Sequence, residues 1–350
     1  MERIAGHISP SPDQWRELFE AASAFHTLAP WQWMSDGMLF GVQDPATGTT
    51  GYCCVLGALG SVLALNVYPG VEGLESYNAM YRAGLAGNRA DAPYTQRLLM
   101  ASYEDRKDLD KRDLETIKAL GLTFRGRQTW PQFRDYWPGL FPWYIDTAQA
   151  RFLTHALHQA HAVALRVRND PDMLLLNHHD LILVRVPHAS PEGISWTDSW
   201  LPPDPPPRAR TPISVLPSKR DLKGLKGKAI STAVWELDYW HVATMIQEKP
   251  TERPYFPKML MAVEAASELV MVSQVFRPDM PAAAVQSEFL RSIRRTPELP
   301  GEIRIKREEL LDIIGPVGLA AGMRVRKVNS LPGLGRAWDE LHAFLSKNRG

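Results

Sequence analysis

Ile230-Ser-Thr-Ala-Val-Trp-Glu-Leu-Asp-Tyr-Trp240 decides how the second half of this chain is read. It has the apolar content of a buried strand, and it ends in carboxylates. Lys258 to Phe276 follows as two apolar runs separated by a short turn, the pattern of a hairpin. Further on, Pro281 to Arg294 reads as an amphipathic helix, Glu302 to Ile305 as a strand and Glu308 to Ala321 as a helix. Arg324 to Val328 is then a strand and Gly335 to Lys347 a closing helix. Strands alternating with helices bury their apolar faces as an α/β sheet with helices packed on it. Glu236 and Asp238 lie two residues apart, so on one strand they share a face.

Upstream of this half, Pro202-Pro-Asp-Pro-Pro-Pro207 is a stiff polyproline connector. It divides the chain into an α+β domain over 1–202, a proline-rich linker over 203–217 and an α/β domain over 218–350. The first domain opens with Ser11-Pro12-Asp13-Gln14, a helix start in which Ser caps, Pro takes the first turn and Gln closes the box. Trp15, Leu18, Phe19, Ala22 and Phe25 then form one apolar stripe. Met38 to Val42, Tyr52 to Leu56 and Val62 to Tyr68 read as strands of an antiparallel meander, joined by Asp44 to Gly48 and Gly57 to Gly60. Helices are expected over Gly73 to Arg82, Asp110 to Leu120 and Asp146 to Arg168, with further strands over Gln96 to Tyr103 and Leu181 to Val186.

A length of 350 residues favours two domains. The net charge of +1 argues against a uniformly basic or acidic surface, although 219–350 carries 21 Lys and Arg against 16 Asp and Glu. Cys53 and Cys54 are adjacent and in a strand point to opposite faces, so a disulfide between them is not expected; they read as small buried hydrophobes. The N-terminus has no apolar signal core, and no 18 apolar residues run together. A soluble, cytoplasmic protein with no membrane partner is the expectation.

Several constellations have both a chemical and a plain reading. Trp130 to Tyr144 holds seven aromatics in fifteen residues, and Trp130 and Trp137 suit a stacking surface for bases. The plain alternative is an irregular segment, its three prolines excluding regular structure, clamped by its own large side chains. Lys219, Arg220, Lys223, Lys226 and Lys228 would contact phosphates, or simply form a solvated connector. Asn177-His-His-Asp180 implies no third metal ligand by its spacing. His155, His158 and His161 step round one helix, the outer two about 120° apart, which suits a structural role. The chain has no P-loop and no nucleophile elbow.

The order of strand, two-strand hairpin, helix, strand, helix, strand in the second half resembles the ribonuclease H-like fold of integrases and transposases. There the first strand often carries Trp and Asp, as Trp235-Glu-Leu-Asp238 does here. That resemblance implies phosphodiester hydrolysis by carboxylates holding two metal ions at the ends of neighbouring strands. Asp238 matches the first carboxylate. At the second position Lys306 and Arg307 follow Ile305, and a cation there opposes a Mg2+ site built from oxygen ligands. Glu308 and Glu309 are displaced further along, Asp312 or Glu340 would be the last-helix acid, and Glu236 and Glu264 are spare. Asp238 and Glu264 would be the metal ligands. The plain alternative is that Glu236 and Asp238 end a strand in solvent or pair with Arg304. More broadly, Ala29 to Pro45, Gly51 to Gly57 and Val67 to Tyr77 resemble bacterial proteins that pair two domains of unknown function.

The expectation is therefore a non-catalytic binding or interaction module on a degenerate ribonuclease H-like scaffold, without cofactor. The rivals are a metal-dependent nuclease using Asp238, Glu236 and Glu308 or Asp312 with Mg2+ or Mn2+, and a nucleic-acid binder without catalysis.

Overall fold

The computed structural model describes residues 8–85, 92–174, 180–191, 193–205, 215–220, 222–225 and 227–347. The chain divides into two compact units, Met1–Arg208 and Ala209–Gly350. Residues 206–214 of the expected linker lie outside the described residues, as do Asn177, His178 and His179.

The first unit is built on a mixed seven-stranded sheet. Its strands are β1 (Phe40–Gln43), β2 (Thr50–Leu56), β3 (Leu63–Pro69), β4 (Leu98–Glu104), β5 (Trp130–Tyr136), β6 (Ile182–Ser190) and β7 (Gly193–Leu201), in the spatial order β5-β4-β3-β2-β1-β6-β7. The first three form the expected antiparallel meander, β4 and β5 extend it antiparallel, and β6 joins β1 in parallel. Helix α1 (Pro12–Leu28) starts on the Ser11/Gln14 capping box, and α4 (Thr147–Asn169) starts on an Asp146/Gln149 box of the same kind. Both bury apolar stripes on one face of the sheet, where Leu18, Phe25, Phe152 and Leu157 meet Cys53, Val55, Leu65 and Val67. Helix α2 (Gly70–Leu85) covers the other face, where Leu74 packs near Tyr52, Cys54 and Tyr68. The two cysteines thus point to opposite faces, and burial pushes the Cys54 thiol up to about 12. Helix α3 (Lys111–Ala119) is capped by Asp110.

Two expectations fail here. The aromatic stretch is regular at its start, because Pro131 sits in β5, which pairs along its length with β4 and on its outer side has an isolated bridge from Asp135 to Trp143; an edge strand tolerates, away from that bridge, a residue with no N–H to give. The strand β7 is an addition to the expected elements. Its Ile194, Trp196 and Trp200 alternate with polar residues, but Gly and Ser within it mask the pattern.

The second unit holds a mixed five-stranded sheet of β8 (Val234–His241), β9 (Lys258–Glu264), β10 (Val270–Phe276), β11 (Glu302–Ile305) and β12 (Arg324–Lys327). Its order is β10-β9-β8-β11-β12, antiparallel on the hairpin side and parallel from β8 through β12. Helices α5 (Ala282–Arg295) and α6 (Glu308–Ala321) pack on one face against Trp235, Leu237, Tyr239, Leu260 and Ile303. Helix α7 (Pro332–Lys347) packs on the other, through Leu334 and Trp338 against Trp240, Met261 and Val263. Each element expected after Ile230 is present in the expected order, with ends that differ by a few residues.

Candidate functional site

The central strand β8 splits its side chains between two environments. Trp235, Leu237 and Tyr239 enter the core beneath α5 and α6, so Glu236, Asp238 and Trp240 must face α7. The two carboxylates do share a face, and both are buried, Glu236 at 1% and Asp238 at 8% exposure, so neither ends a strand in solvent.

Each has a tightly defined partner. Glu236 accepts a hydrogen bond at Oε2 from the Leu334 backbone N–H, 2.9 Å away. Pro332 has no N–H to offer, so the Leu334 N–H is among the first donors of α7, and Glu236 caps this helix from another strand. Gly333 leaves room for that approach, since a Cβ there would stand 3.3 Å from Glu236 Oε2. Asp238 accepts at Oδ1 from Arg307 Nε at 2.8 Å and from its neighbour Tyr239 N–H at 2.8 Å. Arg307 follows β11 and begins α6, beside the C-terminal half of β8. The guanidinium is partly exposed while the Asp238 side chain is 11% exposed, so a charge buried in the fold is neutralised from its rim.

The cation opposing Asp238 is therefore Arg307 and not Lys306, which is exposed. The expected pairing with Arg304 is also absent, since Arg304 Nε donates to Glu302 at 2.7 Å. The remaining acids are dispersed. Glu264 stands opposite Trp235 in register and so lies on the α5/α6 face of the sheet, away from Asp238. There it accepts from Ser267 Oγ and lines a cavity of 590 Å3 at the start of β8 with Glu298 and Arg304. Glu308 pairs with Lys327, Asp312 sits partly buried on α6, and Glu340 is exposed on α7. Among the described residues no three His, Cys, Asp or Glu side chains converge as a metal site.

The expected nucleic-acid contacts are divided too. Lys219, Arg220 and Lys223 are exposed on a segment pinned by Leu225, whereas Lys228 donates to the Thr296 carbonyl and Lys226 lies outside the described residues. Trp130 packs against Phe124 and the first core, and Trp137 lies under the Arg97 guanidinium at 4.0 Å. They flank opposite ends of β5, roughly 20 Å apart at strand rise, and make no common platform.

A basic face escaped the sequence reading. On β11 and β12, Arg304, Arg326 and Arg324 surround the single carboxylate of Glu302, at 2.7, 2.9 and 4.0 Å. Alternation was the available signal, because Ile303 and Ile305 take the core side and leave these charges on the other.

Two mixed α/β units, the second with buried but separately engaged carboxylates, define the class of the protein. Residues 15–185 match the family model described as a domain of unknown function, DUF7309, and residues 221–342 match that of a second domain of unknown function, DUF6930. No curated protein matches the chain. Among solved structures, the catalytic core domain of BIV integrase aligns with 34% of this chain and 73% of its own, at 20% identity and a TM-score of 0.26. A likeness at that score carries no argument about chemistry.

Proposed function

We propose that the second unit is a non-catalytic binding module on a ribonuclease H-like scaffold. The order of strand, hairpin, helix, strand, helix, strand supports the scaffold. The ion pair between Arg307 and Asp238 supports the loss of chemistry. Two-metal hydrolysis needs several carboxylate oxygens free to enter an octahedral shell. Here Asp238 is committed to a guanidinium, Glu236 to a helix terminus and Glu264 to the opposite face, so the donor set does not fit Mg2+ or Mn2+. The test is incubation of the full chain with single-stranded, duplex and hybrid substrates and either ion. No cleavage is expected, and cleavage that disappears in Asp238→Asn would overturn the proposal.

A second reading, that the bound partner is a nucleic acid, is favoured by the β11–β12 face. There three arginines share one glutamate and leave net positive charge on an exposed surface. Contacts to phosphate release counterions, so affinity must fall steeply with salt. Retention of DNA or RNA that is insensitive to salt, or unchanged in Arg324→Ala/Arg326→Ala, would remove this reading.

A further inference from the structure

The first unit contains a cavity of 580 Å3 on the sheet face that α2 covers, within the size range of small-molecule sites. Asn66 lies at its floor, on the interior strand β3, and is 6% exposed. Its Nδ2 donates to the Tyr68 hydroxyl at 3.3 Å, while its Oδ1 is buried with no partner. An amide oxygen left so is costly, and a donor entering the cavity would meet that cost.

The walls agree with that polarity. Tyr68, Tyr77, Tyr81 and Tyr136 line the space, and Tyr77 meets Tyr68 edge-on at 5.4 Å and stacks on Tyr81 at 6.5 Å. Asp36, an exposed residue, adds a carboxylate at the rim, and its backbone carbonyl takes the Tyr77 hydroxyl at 2.9 Å, which holds that ring in place. None of the described lining residues is Lys, Arg or His. Tyrosine faces attract cations, the carboxylate adds to that attraction, and among the described lining residues an anion would find no cation to offset Asp36.

We propose that this cavity binds a small organic cation bearing N–H groups, an ammonium or guanidinium, whose donor reaches Asn66 Oδ1 while the tyrosines surround its charge. The cavity lies within the first unit alone, so its occupancy does not depend on what the second unit binds.

The test uses the full chain and three probes of similar simplicity, followed by ligand-observed NMR and calorimetry. Benzylammonium carries charge and donors, tetramethylammonium carries charge without a donor, and benzoate carries the opposite charge. Saturable binding is expected for benzylammonium, about tenfold weaker binding for tetramethylammonium, the size of one hydrogen bond from a charged donor, and none for benzoate. Asn66→Leu should abolish the preference between the two cations, and Asp36→Asn should weaken both. Circular dichroism establishes that each variant is folded; should Asn66→Leu not fold, the probe series on the wild-type chain still decides. The proposal is overturned if folded wild-type protein ignores benzylammonium, if benzoate binds comparably, or if Asn66→Leu retains the preference.

Discussion

Replacing Glu236 by Ala tests whether a buried carboxylate on the central strand serves as the cap of a distant helix. The side chain is 1% exposed and its Oε2 lies 2.9 Å from the Leu334 N–H. A hydrogen bond to a charged acceptor contributes about 1.5–3 kcal/mol, and leaving the buried N–H unmade incurs its desolvation cost within that range. The carboxylate also faces the positive end of α7, adding about 0.3–1 kcal/mol. Relief of the burial cost of the anion offsets part of this, so a net loss of about 2–3 kcal/mol is expected. For a unit of this size that lowers the melting temperature by roughly 4–12 °C. Glu236→Gln keeps an oxygen acceptor without the charge and should lose about half as much. Hydrogen exchange gives the resolution that a melt lacks, because the Leu334 amide and the first turn of α7 should exchange faster in Glu236→Ala while β8 and β9 stay protected. Unchanged Leu334 protection, or a melting shift under about 2 °C, would refute the capping role.

Other consequences are as direct. Burial lowers the His155 imidazole below its ordinary value, despite the opposing pull of Asp44, so the unfolded chain takes up its proton first. Stability from this site should be complete above the ordinary histidine value and decline as pH falls below it, and denaturant titrations of His155→Gln should show a flatter slope over that window. Burial raises the Asp198 carboxyl, but hydrogen bonds from Arg166 and Arg185 outweigh it and bring the group below the usual carboxylate range. Its contribution is therefore present above that range and lost as pH falls through the folded value; Asp198→Asn should lower stability at neutral pH and flatten this part of the acid limb, the difference from the wild type closing as pH falls. Gly51→Ala would place a Cβ 2.5 Å from Phe152 Cζ and 2.6 Å from Val67 Cγ1, an overpacking worth about 1–3 kcal/mol. Denaturant midpoints should fall accordingly, with Gly51→Ala/Phe152→Leu recovering part of the loss. If the single variant is neutral, the close approach of α4 to β2 is wrong.

Much of the fold was legible because its signals are local. The Ser11 box, the β1–β3 runs with their turns, and each strand and helix after Ile230 declare themselves within a dozen or so residues. What was not legible depends on partners far apart in sequence. Pro131 is acceptable only because β5 is an edge, which no window around Trp130 reveals. Period-2 spacing correctly put Glu236 and Asp238 on one face, yet their partners, Leu334 and Arg307, lie 98 and 69 residues away. A sign of the first was present: α7 opens at Pro332 with no Ser, Thr, Asp or Asn immediately before it, so its cap had to come from elsewhere. The cavity beneath α2 left no motif, since Asn66 and Tyr68 come from β3, Tyr136 from β5, and Tyr77 and Tyr81 from α2.

The most direct measurement is a Mn2+ titration of the full chain, followed by water-proton relaxation, alongside Asp238→Asn. With Arg307 holding Asp238 and Glu236 engaged by α7, the two proteins should give the same weak, unsaturated response. A saturable site in the wild-type chain that Asp238→Asn removes would mean that the carboxylate is available to a metal, and that the second unit is not an inert module.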